Sequence, residues 1–196
     1  MKKVIDIVLL PDEKAKRICE DVNQNIWGKI DFIHTNKNPH ISLLMWVMEE
    51  SKLNKIKETL IDISKEYYPI TLTWKLEKHI IPETGEVCHF YELDKNEHVG
   101  KLFWDISKQI KPQLEYNNIT TNLFYQPEEV EEQSIVWVKW FEMKNIDTYN
   151  GHITLWIWDL KWENPSAIDF EAKKIAIYQL GNYCSCDNQL FELDLW

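Results

Sequence analysis

The chain has 196 residues and a formal net charge of −10, with 44% hydrophobic and 28% charged residues. This composition predicts one sizeable folded domain or two small fused lobes. The acid excess argues against a protein that coats long nucleic acid, because such binding depends on many Lys and Arg side chains that neutralise phosphates. No apolar run approaches the roughly 20 residues of a membrane-spanning helix, and Asp6 interrupts the apolar N-terminal run. We therefore expect no signal peptide, no membrane association and a cytoplasmic location.

The cysteines indicate a reducing compartment. Four of them, Cys19, Cys88, Cys184 and Cys186, are too few and too irregularly spaced for a disulfide framework in a domain of this size. Cys184 and Cys186 lack the usual spacer of a zinc knuckle and have no second pair nearby in the sequence. Incidental thiols are the preferred interpretation.

The first half of the chain predicts a β-α-β-α-β order. Residues 2–10, 40–48 and 69–77 are typical of strands. The segments from Asp12 to about Ile26 and from Glu49 to Tyr67 have the apolar spacing of helices.

The second half repeats this start, with a strand near 86–93 and a helix from about Asn96 to Leu114. Residues 115–134 are rich in Asn and acidic residues and predict an excursion from the core. Further strands are predicted at 135–142, 151–158, 172–180 and 188–195, with a short helix around Pro165 to Asp169.

Two segments share the pattern His-Ile-Ser/Thr-Leu-x-x-Trp, one beginning at His40 and the other at His152. Residues i and i+2 of a strand point to the same face about 6.5 to 7 Å apart, so each segment presents an imidazole beside the hydroxyl of Ser42 or Thr154. The intervening Ile and Leu residues would build the core, and the even positions would line a cleft.

Two such strands side by side would surround one phosphate with two imidazoles and two hydroxyls. One neutral histidine would take a proton from a ribose hydroxyl or water, and the other, protonated, would give one to the leaving oxygen. Ser42 and Thr154 would donate hydrogen bonds to the non-bridging oxygens. These groups suffice for phosphodiester cleavage without a metal.

Tandem His-x-Ser/Thr motifs, one in each β-α half, resemble the signature of the 2H phosphoesterases, the superfamily that includes the 2'-5' RNA ligase-like proteins. The segment from Phe170 to Leu195 is similar to the closing hairpin of those proteins. The resemblance implies an α+β fold with two pseudo-symmetric antiparallel sheets, a barrel-like cleft between two lobes, and helices outside. It also implies one domain over residues 1–196, with His40 and His152 catalytic and no metal or cofactor.

The sequence departs from this family in two places. Some bacterial relatives carry an arginine five residues after the second histidine, where this chain has Ile157. The two histidines are also unusually far apart, which puts an insert at about 115–150, where we expect substrate choice to lie.

Several other residues are candidates for substrate contact. Trp46, Trp156 and Trp158 share the parity of the motif histidines and would stack on bases if the strands are regular, although packing beneath the insert is the alternative. Tyr178 would contact phosphate or be buried with a backbone partner. Four lysines are candidates to hold phosphates, namely Lys75, Lys78, Lys139 and Lys144.

The leading hypothesis is a monomeric, metal-independent phosphodiesterase for small RNA-like or nucleotide substrates. These include 2'-5' oligoadenylate, a cyclic oligonucleotide signal and a 2',3'-cyclic phosphate; long duplex nucleic acid is not expected. One alternative is a nucleotide or RNA-end binding module without turnover. Another is a metal hydrolase with His34, His40 and His152 as ligands, although the chain lacks a compact ligand motif.

Overall fold

The computed structural model describes residues 1–24, 38–80, 85, 87–93, 96–114, 118–157 and 168–195. Its strands are β1 (Lys2–Pro11), β2 (Ile41–Glu49), β3 (Ile70–Ile80), β4 (Val87–Leu93), β5 (His152–Ile157), β6 (Ile168–Leu180) and β7 (Cys186–Asp194). Its α-helices are α1 (Glu13–Gln24), α2 (Leu53–Ser64), α3 (Glu97–Ile110) and α4 (Glu132–Glu142). Within these ranges no helix is long and apolar enough to cross a membrane.

The seven strands form one antiparallel sheet in the order β2-β1-β6-β3-β4-β5, and β7 pairs with β6. Each half supplies an outer pair, β1 with β2 and β4 with β5. Each half has a third strand, β3 in the first half and β6 in the second, which pairs with the other half. Strand β6 pairs with β1, and β3 pairs with β4. Because β6 also pairs with β3, the two predicted sheets are joined into one. The predicted α+β class, with antiparallel pairing and two pseudo-symmetric halves, is confirmed.

One face of the sheet is covered by α1, α2 and α3, and we call it the helix face. Strand residues such as Ile5, Ile7 and Leu9 are fully buried there. From α2, Ile56, Leu60 and Ile63 enter the same cluster at helical spacing. Helix α3 begins at a capping residue, because the side chain of Asn96 accepts hydrogen bonds from the backbone N–H groups of His98 and Val99.

The opposite face carries His40 and Asp6, and we call it the cleft face. A second apolar cluster lies on it, formed by Val4 and Val8 of β1, Val47 of β2 and residues of the insert. Helix α4 contributes Val138, which is fully buried in this cluster. The insert therefore covers part of the cleft face of the first half.

The prediction of a strand at 135–142 is wrong, because these residues lie in α4. The segment is rich in β-branched and aromatic residues, which favour strands. Here tertiary contacts override that preference. Val138 packs on the cleft face, while Trp137 and Phe141 pack against the helix-face cluster. Asn182 also binds the first turn of the helix, accepting hydrogen bonds from Glu131 N–H and Ser134 Oγ.

The other predicted elements lie within a few residues of the observed ones. The short helix predicted around Pro165 to Asp169 falls mostly outside the described residues, and its last two positions belong to β6.

Candidate active site

Strands β2 and β5 each contain a β-bulge at the same place in the motif. Val8 pairs with Ser42 and Ile7 with Leu44, so Leu43 is the extra residue in β2. Phe90 pairs with Thr154 and His89 with Trp156, so Leu155 is the extra residue in β5. A bulge interrupts the alternation of side chains along a strand. The repeat in the sequence is therefore also a repeat in backbone geometry.

The two motif histidines are held in the same way. Nδ1 of His40 lies 2.9 Å from the carbonyl oxygen of Asn38, and Nδ1 of His152 lies 3.1 Å from that of Asn150. Because a carbonyl oxygen can only accept, this contact assigns the proton of each neutral ring to Nδ1. Each histidine is thus left with Nε2 for a substrate.

The starts of β2 and β5 are packed together, which brings the two motifs to one site. A Cβ atom at Gly151 would lie 2.5 Å from Cδ1 of Leu93 and 3.3 Å from Cγ2 of Ile41. The hydroxyl of Tyr149 donates a hydrogen bond to the backbone oxygen of Ser42 over 3.0 Å. Glycine before His152 permits this approach, since any side chain would meet Leu93.

Both histidines favour the neutral form. The pKa of His40 is lowered to about 4, mainly by desolvation on burial and to a smaller extent by the charge of His152. The pKa of His152 is also lowered, first by desolvation and then by the charge of Lys144. The side chain of His152 is nonetheless exposed to solvent, and its ring lies 5.3 Å from that of Phe90, centroid to centroid.

Ser42 is engaged by an acidic side chain that the sequence did not single out. Its Oγ donates to Oδ2 of Asp6 over 2.6 Å, and Nε2 of His40 lies 4.0 Å from the same oxygen. Asp6 is fully buried on β1. Thr154, the counterpart of Ser42, is half-buried on β5.

Trp46 does not line the cleft, contrary to the parity prediction. The bulge at Leu43 reverses the alternation, so Leu43 and Leu44 both enter the helix-face cluster and Trp46 follows them. Trp46 is 4% exposed, with Nζ of Lys111 4.7 Å from its ring centroid. The bulge at Leu155 likewise removes the argument that placed Trp156 beside His152. The side chain of Trp156 and all of Trp158 lie outside the described residues.

The remaining candidates for contact with substrate or metal are Tyr178, the four lysines and His34. Tyr178 lies on the cleft face but is 2% exposed, and its hydroxyl donates to Oε1 of Gln189. Of the four lysines, Lys144 influences a motif histidine. The side chain of Lys78 and the whole of His34 are outside the described residues, so the ligand set with His34 is untested.

Among the described residues, one grouping has donor atoms close enough to suggest a metal ion. It consists of Asp6, His40 and Cys186, whose donor atoms lie within 4.8 Å of one another. Asp6 already accepts from Ser42, and the thiol of Cys186 has a pKa raised well above its ordinary value by burial and nearby acidic groups. We interpret the grouping as the polar floor of the cleft.

Two further features of the site were not predicted from the sequence, although one of them is visible there as a repeated residue. The motif extends to Asn-x-His-Ile-Ser/Thr-Leu, because Asn38 and Asn150 both stand two residues before the histidine. Their carbonyl groups orient the rings, and the side chain of Asn150 also donates to Glu92. Asp6 had no comparable signal, since a single acidic residue in a strand is ambiguous.

The fold is similar to that of several solved structures, one of which is described as a phosphoesterase. Apo LigT of E. coli aligns with a TM-score of 0.54 and 10% identity over 100% of this chain and 98% of that chain. LigT complexed with 3'-AMP aligns with a TM-score of 0.55 and 8% identity over 99% and 98%. TT0787 of Thermus thermophilus aligns with a TM-score of 0.58 and 10% identity over 98% and 97%. No protein-family model and no curated protein matches the sequence. The predicted resemblance is confirmed at the level of the fold.

Proposed function

We propose that this protein is a 2H-type phosphodiesterase that cleaves small nucleotide or short RNA-like substrates with His40 and His152 as its acid-base pair. One observation carries the proposal. The two His-x-Ser/Thr motifs repeat in sequence, in bulge position and in the carbonyl that fixes Nδ1, and the two strands start side by side.

In this proposal, Nε2 of one neutral histidine removes a proton from the attacking oxygen, and the other histidine, protonated at Nε2, supplies one to the leaving oxygen. Ser42 and Thr154 donate to the non-bridging oxygens, where negative charge increases in the transition state. In the free protein, the lowered pKa of each histidine favours the neutral form, which can act as the base. An anionic phosphate bound between the rings would raise the pKa of the other histidine and favour its protonated form, which can act as the acid.

Support for the substrate class comes from charge and from the fold. The net charge of −10 suits a small anionic ligand held by local groups better than a long polyanion. LigT, which shares the fold, has been solved with 3'-AMP. We therefore propose 2'-5' oligoadenylate, cyclic oligonucleotides and 2',3'-cyclic phosphates as the substrates to test, with the insert restricting what enters the cleft.

The test is an assay, run in parallel with and without EDTA, of 2'-5' oligoadenylate, 3'-5' cyclic dinucleotides, a 2',3'-cyclic mononucleotide and short RNA, with products followed by chromatography. His40→Ala and His152→Ala should each lose about 10² to 10⁴ in rate. His98→Ala is the matched control, because His98 is exposed on α3. Nucleotide binding without turnover would favour a binding module, and activity abolished by EDTA would favour a metal hydrolase.

A further inference from the structure

The buried carboxyl group of Asp6 has no part in the acid-base cycle described above, yet it touches that site. Asp6 is fully buried, and its Oδ2 lies 2.6 Å from Oγ of Ser42 and 4.0 Å from Nε2 of His40. Its other oxygen, Oδ1, has no hydrogen-bond partner within the described ranges. A buried carboxylate without a cationic partner is costly, and the usual response is to keep the proton.

Within the described ranges, the groups around Asp6 offer no such cation. The titratable groups that face it come from the residue before β2, from the segment before β5, from β6, from the turn before β7 and from the start of β7. They are His40, Tyr149, Tyr178, Cys184 and Cys186. None of them is Lys or Arg. Burial accordingly raises the pKa of Asp6 to about 8, although hydrogen bonds from Ser42 and the Leu44 backbone act in the opposite direction.

The second half of the molecule lacks this carboxyl group. Asp6 stands two residues before Val8, which pairs with Ser42. In the second half Phe90 pairs with Thr154, and the residue two positions before Phe90 is Cys88. The repeated fold therefore does not require an acid here. At this register position, a carboxyl group occurs on the Ser42 side of the site and not on the Thr154 side.

The protonation state of Asp6 determines whether the Ser42 hydroxyl can donate a hydrogen bond to a phosphate. When the carboxyl group is ionised, it accepts a hydrogen bond from the Ser42 hydroxyl, so the hydroxyl presents only its lone pairs to the cleft. When it is protonated, it can donate to Oγ across the same 2.6 Å, which leaves the hydroxyl hydrogen available. An ionised Asp6 would also repel an anionic phosphate.

We propose that Asp6 works as a protonated carboxylic acid that donates to Ser42 and turns the Ser42 hydroxyl hydrogen toward the substrate phosphate. Asp6 is thus a positioning residue that makes phosphate binding depend on pH. This inference rests on the proposed function, because it takes the cleft between the two motifs as the phosphate site.

The experiment measures the affinity for 3'-AMP by calorimetry between pH 7 and 9.5, where the charge of the nucleotide is constant. Affinity of the unmodified protein should be about tenfold weaker at pH 9 than at pH 7, since roughly one tenth of Asp6 would then be protonated. Asp6→Asn keeps a donor toward Ser42 that cannot be lost, so its affinity should change by less than about twofold over this range. Ser42→Ala should bind more weakly at pH 7 than Asp6→Asn does.

Asp62→Asn is the matched control, because it makes the same change at a carboxylate that is 73% exposed and pairs with Lys65 on α2. It should bind 3'-AMP like the unmodified protein at every pH. If Asp6→Asn keeps the full pH dependence, or if the unmodified protein binds equally well from pH 7 to 9.5, the role of Asp6 is refuted. The second result needs no variant, so it decides the question even if Asp6→Asn fails to fold. A complete lack of nucleotide binding at pH 7 would instead count against the proposed function.

Discussion

Gly151 faces Ile41 closely enough that a Cβ atom at the residue before one motif histidine would lie 3.3 Å from the side chain of the residue after the other. The absent side chain of Gly151 therefore lets the two halves of the site approach each other. The position is also intolerant of larger residues, because Cδ1 of Leu93 would lie only 2.5 Å from an added Cβ atom.

Gly151→Ala should reduce activity more than stability. The added methyl group must push Leu93 or the start of β5 aside and so displace His152, and a displacement of about 1 Å can cost on the order of 10²-fold in rate. We expect kcat/KM to fall about 10- to 100-fold, with a loss of roughly 1 to 3 kcal/mol in the free energy of unfolding. Gly100→Ala is the control, since a Cβ atom there meets nothing within 4 Å on α3. Unchanged kcat/KM in Gly151→Ala would show that the two strands can separate freely.

The stability of the protein should fall as pH rises from 6.5 to 8. Burial raises the pKa of Asp6 from 3.8 to about 8 and lowers that of His40 from 6.5 to about 4, so the folded pair holds one proton across this window. The unfolded chain has released that proton above pH 6.5, so folding takes up a proton and loses stability with rising pH. From pH 4 to 6.5 both states hold one proton, and the pair contributes no slope.

Urea unfolding at pH 6.5 and pH 8 measures this effect. The unmodified protein should lose roughly 1 to 2 kcal/mol from the pair over this interval, and Asp6→Asn should lose little, because its side chain cannot titrate. The thiols of Cys184 and Cys186 have raised pKa values and do not titrate in this window. Equal slopes for both proteins would mean that Asp6 is ionised when buried.

Trp46→Phe should destabilise the fold without changing nucleotide recognition. The indole is 4% exposed in the helix-face cluster beneath Lys111, so a smaller ring leaves a cavity and weakens the cation–π contact. We expect a loss of roughly 1 to 3 kcal/mol in the free energy of unfolding. KM should stay within about twofold, whereas a base-stacking role in the cleft would raise it several-fold. Thermal denaturation and steady-state kinetics on the same variant separate the two possibilities.

Asn182→Ala should loosen the insert. The side-chain oxygen of Asn182 accepts from the backbone N–H of Glu131 over 3.0 Å and from Oγ of Ser134 over 3.1 Å, which fixes the start of α4 to the turn before β7. Losing this acceptor removes a partner from the buried Ser134 hydroxyl and from the exposed Glu131 N–H, and should cost about 1 to 2 kcal/mol. Hydrogen exchange should quicken in α4 before it does in β1. Asn54→Ala, at an exposed position of α2, should leave exchange in α4 unchanged.

The amino-acid sequence by itself determined the elements whose periodicity is regular and the residues whose motif repeats. Helices α2 and α3 were predicted because their apolar residues recur at the spacing of one helix face, and this face is buried in the fold. His40, Ser42, His152 and Thr154 were chosen because the same triplet occurs twice after a β-α unit. The fold similarity to LigT agrees with that resemblance, and the roles of the four residues remain a prediction.

The tertiary structure alone decided where the alternation along a strand breaks and which elements pair. Strands β2 and β5 each contain an extra residue, Leu43 and Leu155, and no local sequence signal announces it. In β2 the bulge reverses the faces of the residues that follow. The segment of α4 has a strand-like composition, and it is helical because both of its sides are buried and Asn182 binds its first turn. The tertiary structure also decided the role proposed for Asp6, because that role depends on complete burial next to Ser42 and His40. Burial and partners of this kind arise from residues far apart in the chain, and local sequence patterns do not encode them.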